Sequence, residues 1–153
     1  MKIRPTTKAD TGPISAMLGA LRDAGKRIRP CDPDFVRATY VSNPELVASQ
    51  VAEDDTGRIL GLQVLLLPGP DDPFDVPEGY GNIGTHVAPD AARQGIGRRL
   101  FAATLQAARA AALPALDANI AADNDDGLTY YEAMGFRTDR TGEGRIVKRL
   151  ILS

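Results

Sequence analysis

The sequence has one cysteine, one histidine and no tryptophan, and these shortages limit what the protein can be. With Cys31 alone, the chain cannot form an internal disulfide, and a zinc site built on several cysteines is excluded. No apolar run approaches the roughly 18 residues that a membrane-spanning helix needs, and residues 1–4 lack the apolar core of a signal peptide. We therefore expect a cytoplasmic protein with no metal site and no membrane partner.

Neither sign of charge is in large excess. The chain has 18 lysines and arginines against 20 aspartates and glutamates, so its net charge of -2 gives no broad electrostatic reason to bind nucleic acid. Its 153 residues, 43% of them hydrophobic, suit one ordinary domain with a hydrophobic core. We predict a single domain over residues 1–153 and leave its oligomeric state open between a monomer and a homodimer.

Segments with strand spacing and segments with helical spacing alternate along the chain. The segment 68–79 is rich in proline and acidic residues and predicts a loop. The element order predicts a mixed α/β sheet flanked by helices. The predicted strands are 2–4, 46–53, 58–67, 82–87, 116–120, 136–139 and 145–152, and the predicted helices are 14–21, 32–40, 97–112 and 124–134.

The stretch VAPDAARQGIGRRL, residues 87–100, places Gly95 and Gly97 between a predicted strand and a predicted helix. The first N–H groups of a helix are free and carry partial positive charge, and glycine lets an anion approach them closely. We therefore predict a phosphate-binding turn over residues 94–98. Leu100 stands where a dinucleotide-binding turn has its third glycine, and the Gly-Lys-Ser/Thr of a P-loop is absent. A helix start without a ligand is the alternative, and the turn alone does not decide between them.

The stretch NDDGLTYYEAMGF, residues 124–136, places Tyr131 four residues before Gly135. Together with the glycine turn about thirty residues earlier, it resembles the GNAT superfamily of N-acyltransferases, which use acyl-coenzyme A. That family has the turn Arg/Gln-x-x-Gly-x-Gly/Ala after its fourth strand and Asn…Tyr-x-x-x-Gly-Phe after its fifth. The resemblance covers essentially the whole chain, and it implies a GNAT-like, mostly antiparallel sheet with splayed central strands.

Two positions depart from the family pattern. Ala92 occupies the place of the family's Arg/Gln, and Arg93 and Gln94 are the nearest polar substitutes. Gly127 stands where the family often has alanine, which should loosen the helix by roughly 1 kcal/mol. Neither departure removes the backbone groups of the turn.

The resemblance implies acetyl-CoA as cosubstrate and gives roles to individual residues. The pantetheine arm is expected to enter the gap beside the strand that ends at Val87 and to bond the backbone there, with Asn124 facing it. Tyr131 is expected to protonate the departing thiolate, whereas a helix tyrosine without a role is the alternative. Tyr130 points about 100° away around the helix and is the weaker candidate. The pyrophosphate is expected on the N–H groups of Gln94, Gly95, Ile96, Gly97 and Arg98.

The group that takes the proton from the amine stays open among His86, Glu53, Glu78 and ordered water. The acceptor is open as well, since a basic segment at 22–37 would suit a carboxylate-bearing amine and an acidic segment at 71–78 would suit a cationic one. We predict an N-acetyltransferase that transfers an acetyl group directly to a primary amine of a small molecule. A protein or peptide N-acetyltransferase and a non-catalytic acyl-CoA sensor are the alternatives.

Overall fold

The structure is a computed structural model that describes residues 1–92 and 94–153, and these residues form seven strands and four α-helices. The order of elements predicted from the sequence is confirmed. The strands are β1 (Lys2–Pro5), β2 (Leu46–Glu53), β3 (Ile59–Leu66), β4 (Gly81–Val87), β5 (Ala115–Ala121), β6 (Arg137–Gly142) and β7 (Arg145–Ile151). The helices are α1 (Thr11–Asp23), α2 (Pro33–Val36), α3 (Ile96–Ala110) and α4 (Asp125–Ala133).

All seven strands belong to one sheet in the order β1-β2-β3-β4-β5-β7-β6. Neighbouring strands are antiparallel except β4 and β5, which are parallel. The β4–β5 ladder ends where Ile83 faces Ala118, although both strands continue. Beyond that pair the described residues of the two strands separate, and they leave a gap between residues 84–87 of β4 and residues 119–121 of β5. The predicted mixed, mostly antiparallel sheet with splayed central strands is confirmed.

The helix predicted at residues 32–40 is correct in place, but its second half has a different hydrogen-bond pattern. Asp32 caps the helix, because its carboxylate accepts the Phe35 N–H at 3.1 Å. The α-helix α2 ends at Val36, and the chain continues as one π-helical turn, Arg37–Val41. That turn is closed by a 2.7 Å bond from the Ser42 N–H to the carbonyl of Arg37, five residues earlier.

The two faces of β3 pack against different helices. Gly61 faces α3, because a methyl group on it would lie 2.9 Å from Cγ2 of Ile96. Gln63 follows on the same face by strand alternation and is completely buried, although its neighbours in β3 are apolar or glycine. The opposite face, with Leu62, packs against residues of α1 and α2. Among the described residues, no helix is long and apolar enough to cross a membrane.

Candidate active site

The glycine turn predicted to bind phosphate forms the start of α3. Gly95 is the N-cap residue in the left-handed conformation, with φ of +74°, and a Cβ on it would meet nothing within 4 Å. No side chain of the described residues caps this helix, and its first turn has no acidic residue. The first N–H groups of α3 therefore have no side-chain partner among the described residues and carry the positive end of the helix dipole, beside open space at Gly95, which suits a pyrophosphate. Gln94 lies in the exposed bend before Gly95, whereas Arg93 lies outside the described residues.

Gly97 is required for a reason that the sequence did not reveal. We expected its missing side chain to admit an anion, but a Cβ at this position would lie 2.6 Å from Cε1 of Tyr130. The Tyr130 hydroxyl also donates to the Gly97 carbonyl at 2.7 Å. The first turn of α3 therefore rests directly on the ring of Tyr130 in α4.

The backbone of β4 faces the gap at Val87. The N–H of the next residue, Ala88, donates to the Leu60 carbonyl of β3 at 2.8 Å. Successive residues of a strand point their backbone groups to opposite sides, so those of Val87 and Thr85 point away from β3 and into the gap. Across the gap, β5 pairs with β7 along its whole length. The gap therefore offers an unpaired strand edge on β4, to which an extended amide-containing arm can bond.

Tyr131 lies on α4 with its hydroxyl over the gap-lining part of β4. Its ring is 6% exposed and packs edge-to-face against Phe136, with the ring centroids 5.2 Å apart. Its hydroxyl oxygen lies 2.8 Å from Oγ1 of Thr85. Burial raises the pKa of the Tyr131 phenol well above its ordinary value of 10. Tyr131 therefore keeps its proton at neutral pH and can act only as a donor toward a negatively charged atom.

A short chain of hydrogen bonds joins the turn to Tyr131, and it includes residues that the sequence analysis missed. The amide nitrogen Nε2 of Gln63 lies 3.0 Å from the Thr85 hydroxyl and 2.9 Å from the Tyr130 hydroxyl. The signal for Gln63 was its place as a lone polar side chain in the apolar run ILGLQVLL. Thr85 gave no comparable signal, because its partners lie on β3 and α4.

Asn124 caps α4 and so has a structural contact of its own. Its side-chain oxygen accepts the Gly127 N–H at 3.0 Å. A Cβ on Gly127 would lie 2.6 Å from the amide nitrogen of Asn124, so the glycine makes room for this cap. The predicted contact of Asn124 with pantetheine stays a prediction.

The three side chains considered as proton acceptors differ in their position relative to the gap. His86 is a partly buried residue of β4 that packs edge-to-face against Tyr40, with the ring centroids 5.6 Å apart. Glu53, at the end of β2, is bonded by Arg4 at 3.0 Å, which holds the pKa of Glu53 below its usual range. The strand β3 lies between Glu53 and β4. Glu78 is exposed in the loop before β4, at the opposite end of that strand from the gap. Only His86 of the three belongs to a gap-lining segment.

His86 is neutral because its surroundings disfavour the charged form. Burial has the largest effect, followed by the positive charges of Arg27 and Arg29, and together they lower the pKa of His86 to about 3. An imidazole with so low a pKa is a weak proton acceptor at neutral pH. The two arginines belong to the segment between α1 and α2, so positive charge from that segment acts on His86.

Within that segment Lys26 lies 3.8 Å from the Asp126 carboxylate, whereas Arg27 and Arg29 have no carboxylate partner among the described residues. Arg27 is 9% exposed as a residue, and its guanidinium donates to the Pro30 carbonyl at 2.7 Å and to the Tyr40 hydroxyl at 3.2 Å. Arg29 lies over the ring of Phe35, 5.3 Å from its centroid. The acidic segment at 71–78 differs, because the Asp72 carboxylate is already occupied by two backbone N–H groups of its own loop.

Comparisons with known proteins agree with this geometry. The sequence pattern of the acetyltransferase (GNAT) family matches residues 17–136. No curated protein matches the chain by sequence.

Solved structures with the same fold are numerous. A ribosomal-protein-alanine N-acetyltransferase from Brucella melitensis is 24% identical, with a TM-score of 0.79 over 99% of this chain and 100% of that one. A putative acetyltransferase from Salmonella typhimurium, solved with its cofactor acetyl-CoA, is 21% identical, with a TM-score of 0.80 over 99% and 94%. An N-acetyltransferase from Staphylococcus aureus is 19% identical, with a TM-score of 0.78 over 99% and 98%. At these identities the likeness shows the fold.

Proposed function

The chain belongs to the acetyltransferase (GNAT) family, which uses acetyl-CoA, and from that premise we propose that it acetylates a primary amine of a small molecule by direct transfer. One observation carries the proposal. A helix start that no side chain of the described residues caps and a protonated tyrosine border the same gap in the sheet, joined by the contact between Tyr130 and Gly97.

The turn and the edge of β4 would hold the cosubstrate. The N–H groups of residues 94–98 would bind the pyrophosphate, because this helix start carries partial positive charge, has no side-chain cap among the described residues and borders open space at Gly95. The backbone of Val87 would bond the pantetheine arm, and Asn124 would face that arm. Bound acetyl-CoA supplies a thioester whose carbonyl carbon is open to attack by an amine.

Tyr131 would donate to the sulfur as the carbon–sulfur bond breaks. Its phenol has a pKa above 10, whereas an ordinary thiol has one near ~8.5, so complete transfer of the proton to a free thiolate runs uphill. The contribution of Tyr131 is therefore a hydrogen bond to the negative charge that develops on sulfur. Such a bond strengthens in the transition state, and so it accelerates the reaction without tightening the binding of acetyl-CoA.

The amine would reach the gap from the face of the sheet where His86 lies, since α3 and Tyr131 cover the other face. An alkylammonium has a pKa near ~10.4 and must lose a proton before it attacks. The potential of Arg27 and Arg29 that lowers the pKa of His86 would also lower that of a nearby amine. Water can then take the proton. The same two arginines favour an amine that also carries a carboxylate.

A screen of amines with acetyl-CoA, followed by the release of free thiol, tests this function. The screen should pair amino acids with the amines that lack the carboxylate, and add polyamines, aminoglycosides and peptides. We expect turnover with a small amine. Within each pair, the amino acid should be acetylated faster than the amine that lacks the carboxylate.

The other outcomes of the screen separate the alternatives. Turnover with peptides alone would identify a protein N-acetyltransferase. Tight acetyl-CoA binding without turnover of any acceptor would identify a sensor. A cytoplasmic location and a homodimer stay predictions that this assay does not address.

A further inference from the structure

The carbonyl of Gly97 sets the direction of the hydrogen bonds that lead from the glycine turn to Tyr131. A carbonyl oxygen can only accept, so the Tyr130 hydroxyl gives its single proton to Gly97 at 2.7 Å. The oxygen of Tyr130 must then accept the 2.9 Å bond from Gln63. The Gln63 atom that faces Tyr130 is therefore the amide nitrogen, and the network assigns its orientation.

The second proton of that amide nitrogen goes to Thr85. The Thr85 oxygen accepts it at 3.0 Å and keeps its own proton for another partner. Among the described residues, the other hydrogen bond of the Thr85 hydroxyl joins it to the hydroxyl oxygen of Tyr131, at 2.8 Å. The Tyr130 oxygen also lies near Thr85 but already accepts from Gln63. With the opposite direction, the Tyr131 proton would be held on Thr85, and the Thr85 proton would face only this occupied oxygen. The bond therefore runs from Thr85 to Tyr131.

The orientation of Gln63 has a visible cost. Its side-chain oxygen Oε1 is buried and has no hydrogen-bond partner among the described residues. A buried acceptor without a partner is unfavourable. The two hydrogen bonds that the Gln63 amide nitrogen donates, to Thr85 and to Tyr130, offset this cost.

We propose that Thr85 is a positioning residue, which donates to the Tyr131 hydroxyl and so leaves the Tyr131 proton free to point at the thioester sulfur. This proposal rests on the proposed function, because it needs a sulfur in the gap. A phenol that accepts a hydrogen bond is also a stronger donor, so Thr85 both orients and polarises Tyr131. Gln63 and Tyr130 hold Thr85 in this direction from the glycine turn.

A double-mutant cycle tests the coupling between Thr85 and Tyr131. Thr85→Val removes the hydroxyl and keeps the shape, and we expect kcat to fall about tenfold with an unchanged KM for acetyl-CoA. Thr85→Ser should recover most of the rate. In a Tyr131→Phe background, Thr85→Val should have almost no further effect on kcat, because the group that it orients is gone.

The matched control for the cycle is Thr104→Val. Thr104 is a completely buried threonine of α3, and its hydroxyl has no partner among the described residues. Its replacement removes the same atom from the core without breaking a bond, so kcat should stay at the wild-type value. Comparison with Thr85→Val then separates loss of the Thr85 bond from a general effect of threonine-to-valine exchange.

A second measurement needs no acceptor and separates this proposal from the proposed function. The ultraviolet absorbance of the thiolate reports the pKa of the thiol in bound coenzyme A. Donation from Tyr131 stabilises the thiolate, so we expect the pKa of the bound thiol to rise by about one unit in Thr85→Val, and at least as much in Tyr131→Phe.

The results of these two experiments distinguish a failure of the role of Thr85 from a failure of the proposed function. An unchanged thiol pKa in Thr85→Val, or an equal loss of kcat in the presence and absence of the Tyr131 hydroxyl, would overturn the role of Thr85. A shifted thiol pKa in an enzyme that acetylates no amine would support Thr85 and contradict the proposed function. Failure of the wild-type protein to bind coenzyme A would overturn both.

Discussion

At the scale of single residues, two adjacent tyrosines divide the work of the site. Tyr130 gives its proton to the Gly97 carbonyl and so belongs to the scaffold of the turn. Tyr131 lies about 100° further around α4 and reaches Thr85 beside the gap. The two side chains are chemically identical, so their difference comes entirely from the partners that the fold gives them.

Removing each hydroxyl should therefore affect a different kinetic quantity. Tyr131→Phe keeps the ring and its packing, and we expect kcat to fall roughly 10- to 1000-fold while the dissociation constant of acetyl-CoA changes little. Tyr130→Phe frees the start of α3, so it should weaken acetyl-CoA binding and leave a milder loss in kcat. Steady-state kinetics with an acceptor from the screen, together with a binding titration, checks both. A wild-type kcat in Tyr131→Phe would remove its role as a donor to sulfur.

The sequence was informative about some residues of the site and silent about others. Tyr131 and the glycines stand in local patterns, and a local pattern is visible in one dimension. Gln63 and Thr85 meet because β3 and β4 pair with the register Gln63 opposite Thr85. Register depends on the whole sheet, so no spacing along the chain could predict this pair.

At the scale of elements, the start of α3 shows two glycines with different requirements. Gly95 needs the left-handed conformation, with φ of +74°, whereas Gly97 needs the room that the Tyr130 ring takes. Only the first requirement follows from the turn sequence. The second depends on the packing of α4 on α3, which the sequence analysis did not predict.

Alanine substitutions should separate these requirements. Gly97→Ala overpacks the contact with Tyr130, so we expect a loss of about 1–3 kcal/mol in stability and weaker acetyl-CoA binding. Gly95→Ala meets no atom but strains the backbone, at about 1–2 kcal/mol. Gly19→Ala in α1 is the control, since it meets nothing and should stabilise the helix by roughly 0.5–1 kcal/mol. Urea unfolding measures all three. Equal effects of Gly97→Ala and Gly19→Ala would contradict the packing argument.

The predicted elements were correct where periodicity or a cap defines them. The hairpin between β2 and β3 follows from DDTG, because the Asp54 carboxylate accepts the N–H groups of Thr56 and Arg58. The π-helical turn after α2 was missed, since its hydrogen-bond pattern leaves the apolar spacing unchanged. The separation of β4 from β5 came from the family resemblance and not from the pattern of residues.

At the scale of the whole molecule, His86 links stability to pH. Its pKa is about 3 in the folded protein and near 6.5 when unfolded, so between these values only the unfolded chain binds the proton. The free energy of unfolding therefore falls as the pH drops below 6.5, by up to about 1.4 kcal/mol per pH unit from this group. Above pH 6.5 the contribution is constant.

His86→Gln should remove this dependence and leave the chemistry largely intact. Compared with the wild type at pH 7, 5.5 and 4, the variant should lose less stability on acidification in urea unfolding experiments. Its kcat/KM should follow the wild-type pH profile between pH 5.5 and 8, because His86 is neutral throughout that range. A fall in kcat of about 100-fold or more would instead identify His86 as a positioned acid or base.

The proposed function requires that acetyl-CoA lies against the turn at the start of α3, and a calorimetric titration of acetyl-CoA into the wild type and Gly95→Glu tests this directly. The substitution places a side chain and a negative charge in the open space in front of the turn. Circular dichroism and thermal unfolding first establish that the variant is folded. We predict saturable binding of one acetyl-CoA per wild-type chain and at least about 100-fold weaker binding to the variant, since it loses the anion contact and gains repulsion. Equal affinity of the two folded proteins would contradict the position of acetyl-CoA at this turn.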